Sequence, residues 1–131
     1  MKEGSSNPSD WFAKADADLR AAELVLEDEE ALSEIACYHA QQCAEKYLKG
    51  YLVSRGVTFK LVHELAYLVR LSSECDGDFE SLLGLAAELE DYASDVRYPI
   101  DGVLPPTHED AQEAIRRAKA IREFVLSRMD R

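Results

Sequence analysis

The stretch from Ser33 to Arg55, SEIACYHAQQCAEKYLKGYLVSR, decides the fold of this chain. At the period of an α-helix, eight small, apolar or aromatic residues fall on one of its faces. Because the first half of that face is mostly Ala and Cys, we expect another helix to approach closely there. The stretch therefore predicts a central helix packed against other helices, through Ala36, Cys37, Ala40, Ala44, Tyr47, Leu48, Tyr51 and Leu52.

Helical stripes of the same period recur on both sides of this stretch. They predict further helices over about 8–27, 61–73, 79–95 and from 108 onwards. No strand alternation of any length is present. The pattern predicts an all-α fold, an antiparallel up-and-down bundle of four to five helices.

Capping residues predict where three of these helices begin. Asn7 is a good N-cap because Pro8 follows at the first helical position. Ser33 is expected to cap the central helix. Thr107 is expected to open the last helix, as the first residue of a capping box that ends at Asp110.

Three residues carry specific packing predictions. Trp11 is expected to anchor the first helix in the core. Leu61 is expected to face inward from the third helix. Gly84 costs its helix stability relative to Ala, so we expect it to mark a point of close packing between helices.

Size and charge restrict the possible functions. The chain has 131 residues, which predicts one domain over 7–131 after a disordered tail over 1–6. Its net charge is −11, which disfavours broad, non-specific binding of nucleic acid. No stretch approaches the length of a membrane span and the first residues lack a signal-peptide core, so we expect a cytoplasmic protein without membrane contact.

The cysteines and histidines give little support for a metal site. Cys37, Cys43 and Cys75 are expected to be free, buried thiols in a reducing compartment. His39 and Cys43 are four residues apart and could supply half of a metal site, but no motif supplies the other half. The sequence therefore predicts no metal and no cofactor, and a structural hydrogen bond from His39 to another helix.

The central helix also carries an ordered polar set, Gln41, Gln42, Glu45, Lys46 and Lys49. Within it, the spacing of Glu45 and Lys49 predicts an ion pair between successive turns. The set is either a polar site or a solvated face, and the spacing leaves both open.

Arg97 is the most suggestive single residue. Because Pro99 disfavours a helical conformation at Tyr98, we expect the fourth helix to end near Arg97. Tyr98 places an aromatic ring next to Arg97. A guanidinium at such a place could hold a phosphate or carboxylate through two hydrogen bonds. Alternatively, Arg97 caps its own helix or pairs with an acid such as Asp91.

Four blocks, spread over about residues 9 to 128, resemble the HEPN domain family in order and spacing. The longest is CYHAQQCAEKYLK at 37–49. It is followed by a His-x-Leu pattern from His63 and by Arg-Tyr-Pro at 97–99, after Tyr92. The first block consists of Trp11, Asp18, Leu19 and Ala22. The combination looks like the Arg-Tyr-Pro variety of the family.

The resemblance implies a helical bundle that forms a homodimer. It also implies a two-component, toxin–antitoxin-like system in which the partner is a minimal nucleotidyltransferase (MNT). Many HEPN domains are metal-independent ribonucleases, in which an Arg and a His four to six residues later meet across the dimer. In that motif the Arg holds the scissile phosphate and the His moves protons at the ribose 2′-OH.

This chain departs from the ribonuclease motif, because ten residues separate Arg97 from His108, its candidate catalytic partner. The resemblance therefore implies a non-catalytic or weakly catalytic module associated with nucleotide or RNA. The alternatives are a ribonuclease toxin that uses Arg97 with His108 or His39, and a purely structural bundle. The residues expected to bind nucleotide or phosphate are Arg97, Tyr98, Lys46, Lys49, Gln42 and Glu45.

Overall fold

The computed structural model of the chain describes residues 4–28, 32–93 and 104–129, with side chains as far as residue 91 in the second range. The described residues form five α-helices and no strand. The helices are α1 (Pro8–Glu27), α2 (Ser33–Ser54), α3 (Leu65–Ser73), α4 (Leu83–Ala93) and α5 (His108–Arg128), and a 3₁₀ segment, Gly77–Leu82, precedes α4. The predicted all-α helical bundle is confirmed.

Helix α2 is the centre of the bundle and touches each of the other four helices, α1 and α5 most extensively. α1 runs antiparallel to α2. Near its start, the Phe12 ring stacks on Tyr47 at a centroid distance of 5.0 Å. Further along, Asp18 contacts His39 in the first half of α2. The central position of α2 explains why its sequence carries the strongest helix-packing signal.

The apolar face of α2 is buried as predicted. All eight of its residues have at most 1% of their surface exposed. The larger side chains in the second half of the face meet aromatic residues from elsewhere, and Tyr51 lies against Phe79 with ring centroids 4.3 Å apart. Facing α2, the predicted stripe of α5 is also buried, through Ala111, Ala114, Ile115, Ala118, Ile121 and Val125.

The close approach of two helices falls at Gly50, and the prediction that Gly84 marks such a point is wrong. A Cβ atom added at Gly50 would lie 2.5 Å from Phe12 Cε1 and 3.0 Å from Trp11 Cβ. Gly84 is exposed, and a Cβ atom there would meet nothing within 4 Å. α1 therefore crosses α2 at a position where an added Cβ atom would force the Phe12 ring to shift.

The N-terminal residues of the helices show which helix starts can be predicted from capping residues. Asn7 caps α1, and Thr107 forms the predicted capping box with Asp110. Ser33, however, is the first residue of α2, and its N-cap is Leu32, which makes no side-chain cap hydrogen bond. The prediction for Ser33 as the cap is therefore wrong by one position.

Helix α3 begins four residues later than predicted, so Leu61 lies outside it and is 65% exposed. The inward position predicted for Leu61 is wrong. The start of α3 is fixed from another helix, because the Glu90 carboxylate of α4 accepts hydrogen bonds from the backbone N–H groups of Leu65 and Ala66. These two groups have no partner within their own helix, and sequence spacing could not supply one.

Two further side chains differ from expectation. Trp11 is only half-buried, and its indole Nε1 donates to the Ser5 carbonyl oxygen at 2.8 Å. Cys37 and Cys43 are buried free thiols as predicted, but Cys75 is exposed, so that part of the prediction is wrong. Cys75 follows the C-terminal end of α3, where the chain turns at the surface.

Candidate functional site

The polar residues of α2 divide into two clusters on different sides of the helix. Glu45 and Lys49 face the loop over 55–64, whereas Lys46 and His39 face α1. The sequence alone had grouped Glu45, Lys46 and Lys49 into one set. These residues are close together along α2, but Glu45 and Lys49 contact residues of the loop over 55–64, whereas Lys46 contacts Asp18 of α1.

The Glu45 cluster consists of the buried residues Gln41, Gln42, Glu45 and Lys49, together with His63, whose side chain is 60% exposed. Lys49 Nζ lies 2.9 Å from Glu45 Oε2, and the two side chains are 8% and 4% exposed. His63 Nδ1 lies 3.0 Å from both Glu45 oxygens. Gln41 donates to the His63 carbonyl oxygen at 3.1 Å, and Gln42 donates to the Gln41 side chain at 3.2 Å.

This network confirms the predicted ion pair between Glu45 and Lys49 and excludes a solvated face for most of the polar set. Lys49 also lies 5.6 Å from the centre of the Phe59 ring, which adds an attraction between the ammonium and the ring. Because the Lys49 side chain is only 8% exposed, a phosphate from solvent has little access to its ammonium, which already contacts the Glu45 carboxylate. Binding of phosphate by Lys49, Gln42 and Glu45 stays a prediction.

The Asp18 cluster, consisting of Asp18, His39 and Lys46, joins α1 to α2. Asp18 Oδ1 lies 2.9 Å from His39 Nδ1, and Asp18 Oδ2 accepts a hydrogen bond from Lys46 Nζ. A carboxylate only accepts hydrogen bonds, so Nδ1 of His39 carries the proton and Nε2 is the other tautomeric position. The predicted hydrogen bond from His39 to another helix is confirmed.

A third polar contact, which the sequence did not suggest, ties α1, α2 and α5 together. Tyr47 OH donates to Asp16, and Arg122 Nε donates to the same carboxylate oxygen at 3.0 Å. Burial, and then the hydrogen bond to Asp16, raise the pKa of Tyr47 above its usual range. No sequence signal joins these three residues, because they come from three separate helices.

His108 lies where the sequence places it, as the first residue of α5 and exposed. It lines a cleft of about 480 Å³ between α1 and α5, together with Arg20, Gln112 and Arg116. None of the described residues predicted to bind phosphate lines this cleft. His108 is therefore separated from the two polar clusters of α2.

A second cleft, of about 640 Å³, lies along α1 and is here named the Trp11 cleft. Of the described residues that were predicted to bind nucleotide, Lys46 alone lines this cleft. Sequence reasoning missed the other lining residues, because the helical spacing of those on α1 is shared by any exposed helix face. The lining residues are Gly4, Ser5, Asp10, Trp11, Ala13, Lys14, Ala17 and Lys46.

The predictions on Arg97 and Tyr98 lie outside the described residues, as do Val96 and Pro99. The described part of α4 ends at Ala93, one turn after Glu90. Whether Arg97 holds an anion or pairs with Asp91 stays a prediction. Within the ranges that the structure describes, no three His, Cys, Asp or Glu side chains form a group that could hold a metal ion.

Within the described ranges, four helices pack against the central α2, which places the chain in the class of all-α helical bundles. The chain belongs to the HEPN domain family, because the family model for the HEPN domain matches residues 8–129. A relative in Methanocaldococcus jannaschii bears the name "Putative toxin MJ1304". It is 25% identical over a 128-position alignment that covers 88% of this chain and 83% of the relative.

A solved structure supports the same assignment. The crystal structure of ST0689, an archaeal HEPN homologue, is similar to this chain with a TM-score of 0.74 and 28% sequence identity. The match covers 98% of this chain and 99% of the homologue. Separately, none of the helices in the described ranges is long and apolar enough to cross a membrane.

Proposed function

We propose that this chain is the HEPN component of a two-component, toxin–antitoxin-like system in the cytoplasm. In this proposal it forms a homodimer and works with an MNT-type nucleotidyltransferase. It associates with nucleotide or RNA and cleaves RNA weakly or not at all. Membership of the HEPN family and the relative named as a toxin support the toxin-like part of the proposal.

The observation that carries the non-catalytic part is the position of His108. It begins α5 directly after Pro105, Pro106 and Thr107, with ten residues between it and Arg97, and it faces a cleft that no other described candidate residue lines. The other two histidines each contact a largely buried carboxylate: His39, which is 30% exposed, contacts Asp18, and His63, which is 60% exposed, contacts Glu45. The chain thus lacks the spacing of Arg and His that HEPN ribonucleases use.

Phosphate binding in this proposal involves Arg97 and Tyr98, with Lys46 as the better placed of the two lysines. The Lys46 side chain is 26% exposed, whereas that of Lys49 is 8% exposed. An ammonium group has three protons and one of them on Lys46 is directed to Asp18, so two remain for an anion.

Co-purification and calorimetry test the proposal. The full chain is expressed with and without the product of the neighbouring gene, which the proposal expects to be the transferase, and the mass of each species is measured by light scattering. We expect a homodimer, a complex with the transferase, and heat of binding with ATP, GTP or a short RNA. A chain that binds neither the transferase nor any of these ligands would leave only a structural bundle and refute the proposal.

A ribonuclease toxin is the second candidate, and the Asp18 cluster favours it. Asp18 accepts a hydrogen bond from His39 Nδ1, so in the neutral imidazole Nε2 is the nitrogen that can accept a proton, on a side chain that is 30% exposed. Expression in bacteria, with growth and total RNA as readouts, separates the two candidates. The control is Lys119→Ala, at an exposed lysine that pairs with Glu23. Growth arrest that Arg97→Ala and His39→Ala both abolish, and that Lys119→Ala leaves unchanged, would replace the first candidate by the second.

A further inference from the structure

The Trp11 cleft combines an aromatic wall with two lysines: Trp11 and Lys46 belong to two separate family sequence blocks, and Lys14 belongs to none of them. Asp10, Ala13, Lys14 and Ala17 recur along α1 at intervals of three and four residues and so share one face of the helix. At 1.5 Å per residue this face is about 10 Å long. The cleft volume of about 640 Å³ lies within the range of small-molecule sites.

Three neighbours hold the Trp11 ring in place: the Ser5 carbonyl oxygen, the Phe59 ring and the Gly4 backbone. Its Nε1 donates to the Ser5 carbonyl oxygen at 2.8 Å, and its ring packs edge-on to Phe59 with centroids 6.2 Å apart. The Gly4 backbone lies so close to the ring that a Cβ atom there would overlap it, and Gly4 has a φ of 103°. The ring is therefore positioned in advance, and its only hydrogen-bond donor is already used.

The two lysines supply the positive charge of the cleft. Lys14 is exposed and forms no ion pair with any side chain that the structure describes. Lys46 gives one proton to Asp18, whose other oxygen contacts His39. Asp10, the acid of the lining, accepts a hydrogen bond from the Ser5 hydroxyl at 2.6 Å. A ligand with a flat apolar ring and a negative charge matches this arrangement.

We propose that the Trp11 cleft binds a nucleoside phosphate, with the base against Trp11 and the phosphate between Lys14 and Lys46. This inference rests on the proposed nucleotide association and gives it a site on α1. Stacking of a base on an aromatic side chain is tolerant of base identity. Because few polar atoms line the cleft, we expect little discrimination between bases. The ligand is either a free nucleotide or a nucleotide of an RNA strand.

Fluorescence offers a direct test, because Trp11 is the single tryptophan of the chain. AMP and a short oligoadenylate are titrated into the full chain, with adenosine and ribose 5-phosphate as ligands that lack one half each. We expect AMP or the oligoadenylate to change the emission, and both half-ligands to bind more weakly. If only the oligoadenylate acts, the source is RNA; if AMP acts equally, a free nucleotide suffices. Either result supports the site.

Variants separate the site from nucleotide binding in general. Lys14→Ala and Lys46→Ala should each weaken binding by about fivefold, since each removes an exposed charge contact. Lys119→Ala, a surface lysine that pairs with Glu23 outside the cleft, should not change it. Nucleotide binding by calorimetry without a change in emission, or adenosine binding as tightly as AMP, would overturn the site but not the proposed function. No binding of any ligand would overturn both.

Discussion

The buried ion pair between Glu45 and Lys49 permits a quantitative prediction on the change Glu45→Gln. The substitution keeps the size of the side chain and removes its charge. The Lys49 ammonium then remains in an environment where its side chain is only 8% exposed, without the carboxylate that lies 2.9 Å from it. We therefore expect a marked loss of folding stability when one carboxylate oxygen of Glu45 is replaced by an amide nitrogen.

The expected size of this loss follows from burial. Removing one partner of a buried pair costs about 3–5 kcal/mol, because the remaining charge is left without compensation. The amide oxygen of Gln can still accept a hydrogen bond from Lys49, so we expect the lower end, about 3 kcal/mol. For a domain of 131 residues this corresponds to a fall in Tm of about 10 °C.

Urea unfolding followed by circular dichroism measures this loss, and two variants control it. The double variant Glu45→Gln/Lys49→Met has no buried charge at these two positions. We expect its free energy of unfolding to lie within about 1 kcal/mol of that of the native chain. Lys119→Met removes an exposed pair and should change stability by less than about 0.5 kcal/mol. A Glu45→Gln variant as stable as the Lys119→Met variant would refute the reasoning, as would a double variant no better than the single one.

Three further predictions follow from packing, capping and titration. In urea unfolding, Gly50→Ala should destabilise the fold by about 1–3 kcal/mol. Gly84→Ala, at an exposed position, should stabilise it by up to about 1 kcal/mol. Equal effects of the two substitutions would contradict the close approach of α1 at Gly50. Glu90→Ala should cost about 1 kcal/mol and speed hydrogen exchange in the first turn of α3 but not in α5. Burial raises the pKa of the Cys43 thiol from 9.0 to about 12, so above pH 9 the unfolded chain loses a proton that the folded chain keeps. Stability therefore falls as pH rises through that window, and Cys43→Ala should make the fall shallower by up to about 1.4 kcal/mol per pH unit; an unchanged slope would exclude this cause.

The two polar clusters of α2 show where sequence reasoning about the site succeeded and where it stopped. The pair of Glu45 and Lys49 was predictable, because residues four apart on a helix are neighbours whatever surrounds them. The burial of that pair was not, since it depends on the loop over 55–64 folding back with His63. The partner of Lys46, Asp18, lies 28 residues earlier in the chain, and only the packing of α1 on α2 brings the two together.

By itself, the sequence determined the all-α class, the central helix with its eight buried residues, and the starts of α1 and α5. Each of these depends on residues within one or two turns of each other, so period and capping chemistry suffice. Only the tertiary structure decided that α3 starts at Leu65, where the Glu90 carboxylate accepts hydrogen bonds from its first N–H groups, and that α1 and α2 approach closely at Gly50. The same holds for the Trp11 cleft. These features arise where separate segments meet, and a contact between distant segments leaves no periodic trace in either of them.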